Sequence, residues 1–409
     1  MGPASGANVN LMLSYQEAFE KIIENAHPLK PQRVGLRESL GLTVAEDVFS
    51  PEPFPNFDNS AVDGYAVSQG AGLESLMKIQ GEIRAGEIFS QRLKPNHAVR
   101  IFTGAPLPAR TWAVVMQENT ARINGSIRLL KAPKAGENIR LQGEDFQGGR
   151  VLVRKGRALQ ATHLALLAAV GIPKIFVYPS VQVAILATGT ELWKKGGRLP
   201  PGKIRDSNTI LLETLVKQAG GSPLPMPCVG DDLRQIRRAI RKGLQSDLFI
   251  VSGGVSVGKY DFVKEAFKKE GVKEIFWKVN IKPGKPLYFG KRKRALIFGL
   301  PGNPVSVFVT FEEFVKPAIQ RMARRDPSSQ RWVQGNLTDG FRNSNRLHFV
   351  RVRYSAQKKG CPIDPLKGQG SHMIGELAQA NALLRVEPNA VLKKGDRVWV
   401  KRIEEGSFS

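Results

Sequence analysis

At 409 residues the chain is too long for one hydrophobic core and is expected to divide into several domains. A hydrophobic fraction of 42% with 41 Gly and 26 Pro excludes disordered and fibrous classes, and no apolar run is long enough to span a membrane. Only Cys228 and Cys361 occur, far apart, which excludes a disulfide framework and a zinc site, while a formal net charge of +25 admits either a polyanionic macromolecule or small anions on a basic surface.

In chain order, MGPASGANVN has neither the basic nor the apolar region of a targeting signal and reads as a flexible start, so a cytoplasmic location is expected. A helix follows over Ser14 to Ala26, with Ser14 and Glu17 as a capping box and Tyr15, Phe19, Ile22, Ile23 and Ala26 on one face. From Pro51 to Gly149 the chain is rich in Gly, Pro and short alternating runs such as HAVRIFTGAPLP, which predicts a separate β-rich domain. An apolar helix over Thr162 to Val170, stopped at Gly171, leads back to the main body. From Val181 to Arg325 strand and helix alternate through VQVAILA, NTILLETLVKQAG, DLRQIRRAIRKGL and DLFIV, the mark of a parallel sheet covered on both faces. After Asp326 the period falls to two, as in HFVRVRY and RVWVKRI, and a small β-barrel or open β domain is expected.

The basic residues Arg234, Arg237, Arg238, Arg241 and Lys242 share a helical face opposite Leu233, Ile236, Ile240 and Leu244, and read as a solvated face. KRKR, Lys291 to Arg294, falls between two strand-like runs and reads as a charged hairpin turn. No aromatic interleaving or nucleic-acid motif accompanies these clusters, so nucleic acid is not the expected partner. The five histidines show no metal-ligand spacing, and a metal here would be hard and oxygen-bound, such as Mg²⁺.

The chemistry concentrates in loops after apolar strands, where open α/β sheets bind ligands. SGGVSVGKYD, Ser252 to Asp261, follows LFIV and precedes an amphipathic helix; Gly253, Gly254 and Gly258 let backbone amides converge on a phosphate, and Asp261 adds a carboxylate. ATGTEL offers Thr188, Gly189 and Glu191; read alone it is also a plain helix cap. KIRDSN sets Asp206, Ser207 and Asn208 at a helix start, where capping explains them equally well. IKPGKPL places Lys282 and Lys285 around a Pro-Gly turn suited to an oxyanion, and GLPGNPVS leaves free amides and Ser306 in a first helical turn. GEDF adds Glu144 and Asp145. Together these loops suit a phosphate-bearing substrate and a metal ion.

PNFDNSAVDGYAV, RIFTGAPLP, NIRLQGED, LATGTEL, GKIRDSN, SGGVSVGKYD, KVNIKPGKPL and GLPGNPVSV, in this order along nearly the whole chain, resemble the MoeA-type molybdopterin molybdenumtransferases, whose relatives include the E domains of gephyrin and plant Cnx proteins. The chain departs from the family at Val62, at Arg110 to Val115 and in GQGSHMIGEL.

The resemblance implies insertion of molybdate into adenylylated molybdopterin with release of AMP, assisted by Mg²⁺. It implies catalytic roles for Asp63, Asp145, Glu191 and Asp261, the last three also as metal ligands, with Asp231 or Asp232 as a further carboxylate. Substrate contacts are expected from Thr188, Gly189, Ser252, Gly253, Gly254, Ser256, Pro301 and Asn303, and molybdate contacts from Lys282, Lys285, Pro286, Ser306, Arg346 and Ser371. The expected fold is a multidomain elongated α/β subunit. Its parts are a doubly wound MogA-like central domain (14–29 and 181–326), a connector (30–48 and 150–180), a β-rich insertion (49–149) and a C-terminal β-barrel domain (327–409). A homodimer with its cleft between subunits is implied, Asp63 acting in the partner's cleft, and the molybdopterin adenylyltransferase and apo-molybdoenzymes are the expected protein partners. Molybdopterin adenylylation, an anchoring scaffold and a basic nucleic-acid binder stand as alternatives.

Overall fold

The structure, a computed structural model, describes residues 12–193, 197–254, 262–326, 332–356 and 360–403. Helix α1 (Tyr15–Asn25) starts at Ser14, whose hydroxyl accepts the Glu17 amide while the Glu17 carboxylate accepts the Ser14 amide at 2.8 Å. Of its apolar stripe, Ala18 and Ile22 are the residues fully sunk into the core.

The connector is a three-stranded antiparallel sheet of Gln32–Gly35, Lys174–Tyr178 and Thr43–Val44. Helix α2 (Ala161–Ala169) adds Leu167 to a small core with Val153, Leu159, Ile175 and Val177. The inserted region forms a six-stranded sheet ordered Ala113–Met116, Gly64–Val67, His97–Ile101, Leu76–Ile83, Ser126–Leu129 and Thr120–Ile123. Successive side chains go to opposite faces, so Tyr65 and Val67 fill one core and Ala66 another.

The central sheet runs Ser222–Pro225, Gln182–Ala187, Leu248–Ser252, Ala295–Leu300, Tyr288–Arg292 and Lys273–Trp277. Its first four strands are parallel. Tyr288–Arg292 returns antiparallel through a tight turn at Lys293 and Arg294. The continuous apolar runs are explained by burial on both faces. Val183, Ile185, Leu248 and Ile250 pack on one side with α1 and α3 (Asn208–Gln218), whereas Ala184, Leu186, Phe249 and Val251 meet α4 (Leu233–Gly243) and α5 (Phe262–Lys269) on the other. Helices α6 (Pro304–Thr310) and α7 (Lys316–Met322), joined by a π-helical turn over Phe311–Val315, complete the first face.

The C-terminal strands Leu347–Tyr354, Pro362–Pro365, Trp332–Leu337, Arg397–Arg402 and Ala382–Val386 close into a barrel, because Leu347–Tyr354 also pairs with Ala382–Val386. Helix α8 (Ile374–Gln379) lies beside it. A sixth strand, Ile281–Lys282, comes from before the expected boundary at 327 and pairs in parallel with Leu347 and His348. The barrel is thereby stitched to the central domain, and its Leu347, Phe349 and Leu383 enter the central core.

Candidate functional site

The parallel strands end side by side, so the loops after Ala187, Ser252 and Leu300 meet at one edge of the sheet. Their backbones are cross-tied. The Thr188 amide donates to the Ser252 carbonyl at 3.0 Å, and the Gly253 amide to the Leu300 carbonyl at 3.1 Å. Gly253 has φ +91°, and a Cβ there would lie 2.5 Å from the Thr188 carbonyl oxygen, so close approach of two loops requires glycine. Asn208, the first residue of α3, reaches across them: its Nδ2 donates to Ser252 Oγ at 3.0 Å and to the Gly302 carbonyl at 2.7 Å. Among the described residues Thr188 Oγ1 and Asn208 Oδ1 are buried without a hydrogen-bond partner. Two orphaned polar atoms where three loops converge make this edge a candidate ligand position.

The carboxylates of this edge differ in what already occupies them. Asp231 Oδ2 accepts the Thr190 amide at 3.2 Å and its hydroxyl at 3.0 Å, so it shapes the TGTEL loop. Asp232 caps α4 through the Gln235 amide, and Asp206 accepts both the amide and the hydroxyl of Thr209. Capping thus accounts for Asp206 and Asp232. Glu191 folds back over Gly189, its carboxylate oxygens 2.5 Å from where a Cβ on that glycine would stand. Ser256 and Asp261 lie outside the described residues.

A cationic group of residues adjoins the edge. Asn303 Nδ2 donates to Ser371 Oγ at 3.0 Å and the Val305 amide to the Ser371 carbonyl at 3.1 Å, docking the GQGSHM loop on the start of α6. The IKPGKPL loop sits along the same helix: a Cβ on Gly284 would be 2.6 Å from Thr310 Cγ2, and Thr310 bonds back to the Ser306 carbonyl at 2.7 Å. Lys282 and Pro286 are half-buried, Lys285 is exposed and Ser306 is buried. Arg346 Nη1 donates to the Ile281 carbonyl at 3.2 Å.

Two residues that the motifs did not single out belong to this group. Arg351 is buried and donates to the Gly368 and Gly370 carbonyls, the latter at 3.2 Å, while its Nε has no partner. The available signal was an arginine in the slot after Leu347 and Phe349, where the period-two pattern calls for another inward apolar residue. His348 is the register neighbour of Lys282, and its Nε2 is buried and unpartnered. Burial, and then the charges of Lys282, Arg351 and Arg346, push its pKa down to about 4.

Asp63 and Asp145 are bonded within the inserted domain. The Thr103 amide and hydroxyl both donate to Asp63 Oδ1 at 2.8 Å, holding its carboxyl below the usual range. Asp145 is exposed beside Phe54 and Arg150. Among the described residues no hydrogen bond joins either residue to the strand-end loops.

Three family models match in sequence: the MoeA N-terminal region (domain I and II) over residues 13–171, the probable molybdopterin binding domain over 184–321, and the MoeA C-terminal region (domain IV) over 334–403. The molybdopterin molybdenumtransferase of Haemophilus influenzae is 36% identical over 92% of this chain and 95% of its own length. That of Staphylococcus epidermidis is 32% identical over 97% of each. The chain belongs to the MoeA family. The crystal structure of the molybdopterin biosynthesis MoeA protein from Pyrococcus horikoshii, 29% identical, superposes with a TM-score of 0.77 over 97% of this chain and all of that one. The MoeA fold assigns the barrel to domain IV and the strand-end loops to the molybdopterin binding domain.

Among the described residues no helix is long and apolar enough to cross a membrane, and no three carboxylate, histidine or cysteine side chains gather as a metal cage. Mg²⁺ is commonly held by one or two carboxylates together with substrate phosphates. Glu191, an oxygen donor on a loop next to orphaned polar atoms, fits that mode.

Proposed function

We infer that this protein is a molybdopterin molybdenumtransferase that inserts molybdate into adenylylated molybdopterin and releases AMP. The observation that carries the reading is the pairing of two unlike half-sites in one place. The glycine-walled loops 188–191, 252–254 and 301–303, with orphaned Thr188 Oγ1 and Asn208 Oδ1, suit a nucleotide phosphate; the cations beside α6 suit a tetrahedral dianion. The curated relatives that match over nearly their full length bear the same activity in their names.

In this reading Thr188, Gly189, Ser252, Gly253, Gly254, Ser256, Pro301 and Asn303 hold the adenylylated pterin, with Asn208 fixing the distance between loops. Lys282, Lys285, Ser306, Arg346 and Ser371 hold molybdate, Pro286 shapes the turn, and buried Arg351 adds a cation supported by the GQG carbonyls. Glu191, Asp145 and Asp261 are the oxygen donors for Mg²⁺, which when bound would offset charge on the phosphoanhydride. Asp63, held ionised by Thr103, reaches this edge from the other subunit of a homodimer; its side-chain hydrogen bonds within the inserted domain are compatible with that arrangement. Location in the cytoplasm, delivery by a molybdopterin adenylyltransferase and hand-over to apo-molybdoenzymes complete the proposal.

Purified protein should release AMP from adenylylated molybdopterin only with molybdate and Mg²⁺ present; AMP release independent of molybdate would reject the assignment. Lys285→Ala should raise the molybdate concentration required while leaving nucleotide affinity unchanged, and an unaltered requirement removes Lys285 from the site.

A further inference from the structure

Away from this edge, a cavity of about 880 Å³ opens where the connector meets the end of α7. Its walls come from the strand Val151–Val153, the turn Arg154–Arg157, His163 on α2, Tyr178, and Arg324 with Asp326 beyond α7. The turn is closed by the Arg157 amide donating to the Arg154 carbonyl at 3.2 Å, with Gly156 at φ +84°, and Asp47 fixes it by accepting the Lys155 amide at 2.7 Å. The backbone of the turn is thereby fixed, with Arg154, Lys155 and Arg157 lining one lip and Arg324 the other. None of Arg154, Lys155, Arg157 and Arg324 enters a salt bridge among the described residues. Asp326 is the one acid among the described residues of the lining. Like charges converging on a concavity concentrate anions there.

His163 adds a directed donor. The Gln160 amide donates to its Nδ1 at 3.0 Å, so a neutral ring carries its proton on Nε2. Tyr178 adds a half-buried aromatic wall.

We propose that this cavity binds a small, multiply charged phosphate anion of pyrophosphate or nucleoside-diphosphate type, clamped between the connector and the central domain. Four cations from two domains around an open concavity match a compact di-anion or tri-anion. A nucleic-acid backbone would call for a linear stripe of cations at phosphate spacing. The site is independent of the catalytic assignment, and none of the residues named for that reaction lines it.

The test is hydrogen–deuterium exchange and calorimetry on the full chain with pyrophosphate and ADP as probes. Binding should slow exchange over residues 150–164 and 319–326. Arg154→Glu with Arg157→Glu should abolish that protection and weaken binding at this site by about tenfold or more, the loss of charge-assisted hydrogen bonds, while molybdate-dependent AMP release stays unchanged. Arg324→Asn, which removes the opposing charge and tolerates the left-handed φ of +51°, should weaken binding in the same direction and decides the matter if the double variant fails to fold. Protection confined to the strand-end loops, or unchanged affinity in Arg324→Asn, would overturn the proposal. So would steeply salt-dependent binding of single-stranded DNA through these residues with no binding of the small anions.

Discussion

Gly253 stands where two strand-end loops approach closely. Its positive φ and the Thr188 carbonyl 2.5 Å from a hypothetical Cβ leave an alanine no room, because the obstruction is backbone that is itself hydrogen-bonded to Ser252. Gly253→Ala should therefore cost about 1–3 kcal/mol of stability and push the loops apart. Thermal unfolding together with AMP titration would show both effects, and a variant with native nucleotide affinity would exclude this loop from the phosphate site. His348 sets a pH dependence. Its folded pKa, near 4, lies below the ordinary value of 6.5, so the unfolded chain binds more protons between those limits. Stability contributed by neutral His348 is complete above pH 6.5 and is lost as the pH falls toward 4. Denaturation of His348→Gln should show a flatter pH dependence over this window, and an unchanged slope would mean that other groups control it.

Elements are joined here by a few buried polar links as much as by apolar packing. Lys401 of the barrel is buried, and its Nζ donates to Glu313 Oε1 at 2.9 Å and to the Glu312 carbonyl at 3.1 Å. Lys316 holds Glu312 at 3.0 Å, and the Tyr15 hydroxyl donates to Glu313 at 3.0 Å, so α1, the π-helical turn and the last barrel strand share one network. Removing one member leaves a buried carboxylate short of a partner. Lys401→Met should cost about 3–5 kcal/mol in urea unfolding. Since the barrel carries Arg351 and Ser371, the same variant should raise the molybdate requirement more than it lowers nucleotide affinity. Equal losses in both would show that the network supports the whole fold without specifically placing the barrel. Elsewhere Arg237 and Arg241 both hold the buried Glu270 carboxylate at 2.7 Å, so part of the basic face of α4 is a structural clasp on α5.

For the whole molecule, the inserted domain carries Asp63 and Asp145 on hydrogen bonds of its own, while the strand-end loops belong to the central domain. The proposed homodimer with a shared site makes a direct prediction. At molybdate concentrations too low for Lys285→Ala to turn over, mixing Asp63→Asn and Lys285→Ala subunits should restore activity that neither variant shows alone under those conditions, because some mixed dimers contain one intact site. No recovery after verified subunit exchange would place both residues in the same subunit's site.

Much of this was legible in the residues themselves. Apolar runs punctuated by Gly identify the central strands, the capping box marks α1, and the glycine-rich loops mark the strand-end turns, because propensity, periodicity and positive φ are local properties. The loop residues named from their motifs at Thr188, Ser252 and Gly253 do meet in space. Which polar residues serve the fold and which remain available was a tertiary decision. Asp206, Asp231 and Asp232 look alike in sequence, yet each is occupied by hydrogen bonds to its own surroundings, whereas Asn208 spans two loops. Ile281–Lys282 joins the barrel because the edge of Leu347–Tyr354 offers it partners more than sixty positions along the chain, a separation no local pattern records. Arg351 acquires its place from carbonyls across a barrel loop. Composition and periodicity determine the elements; long-range hydrogen bonding and burial determine which side chains are left free to act.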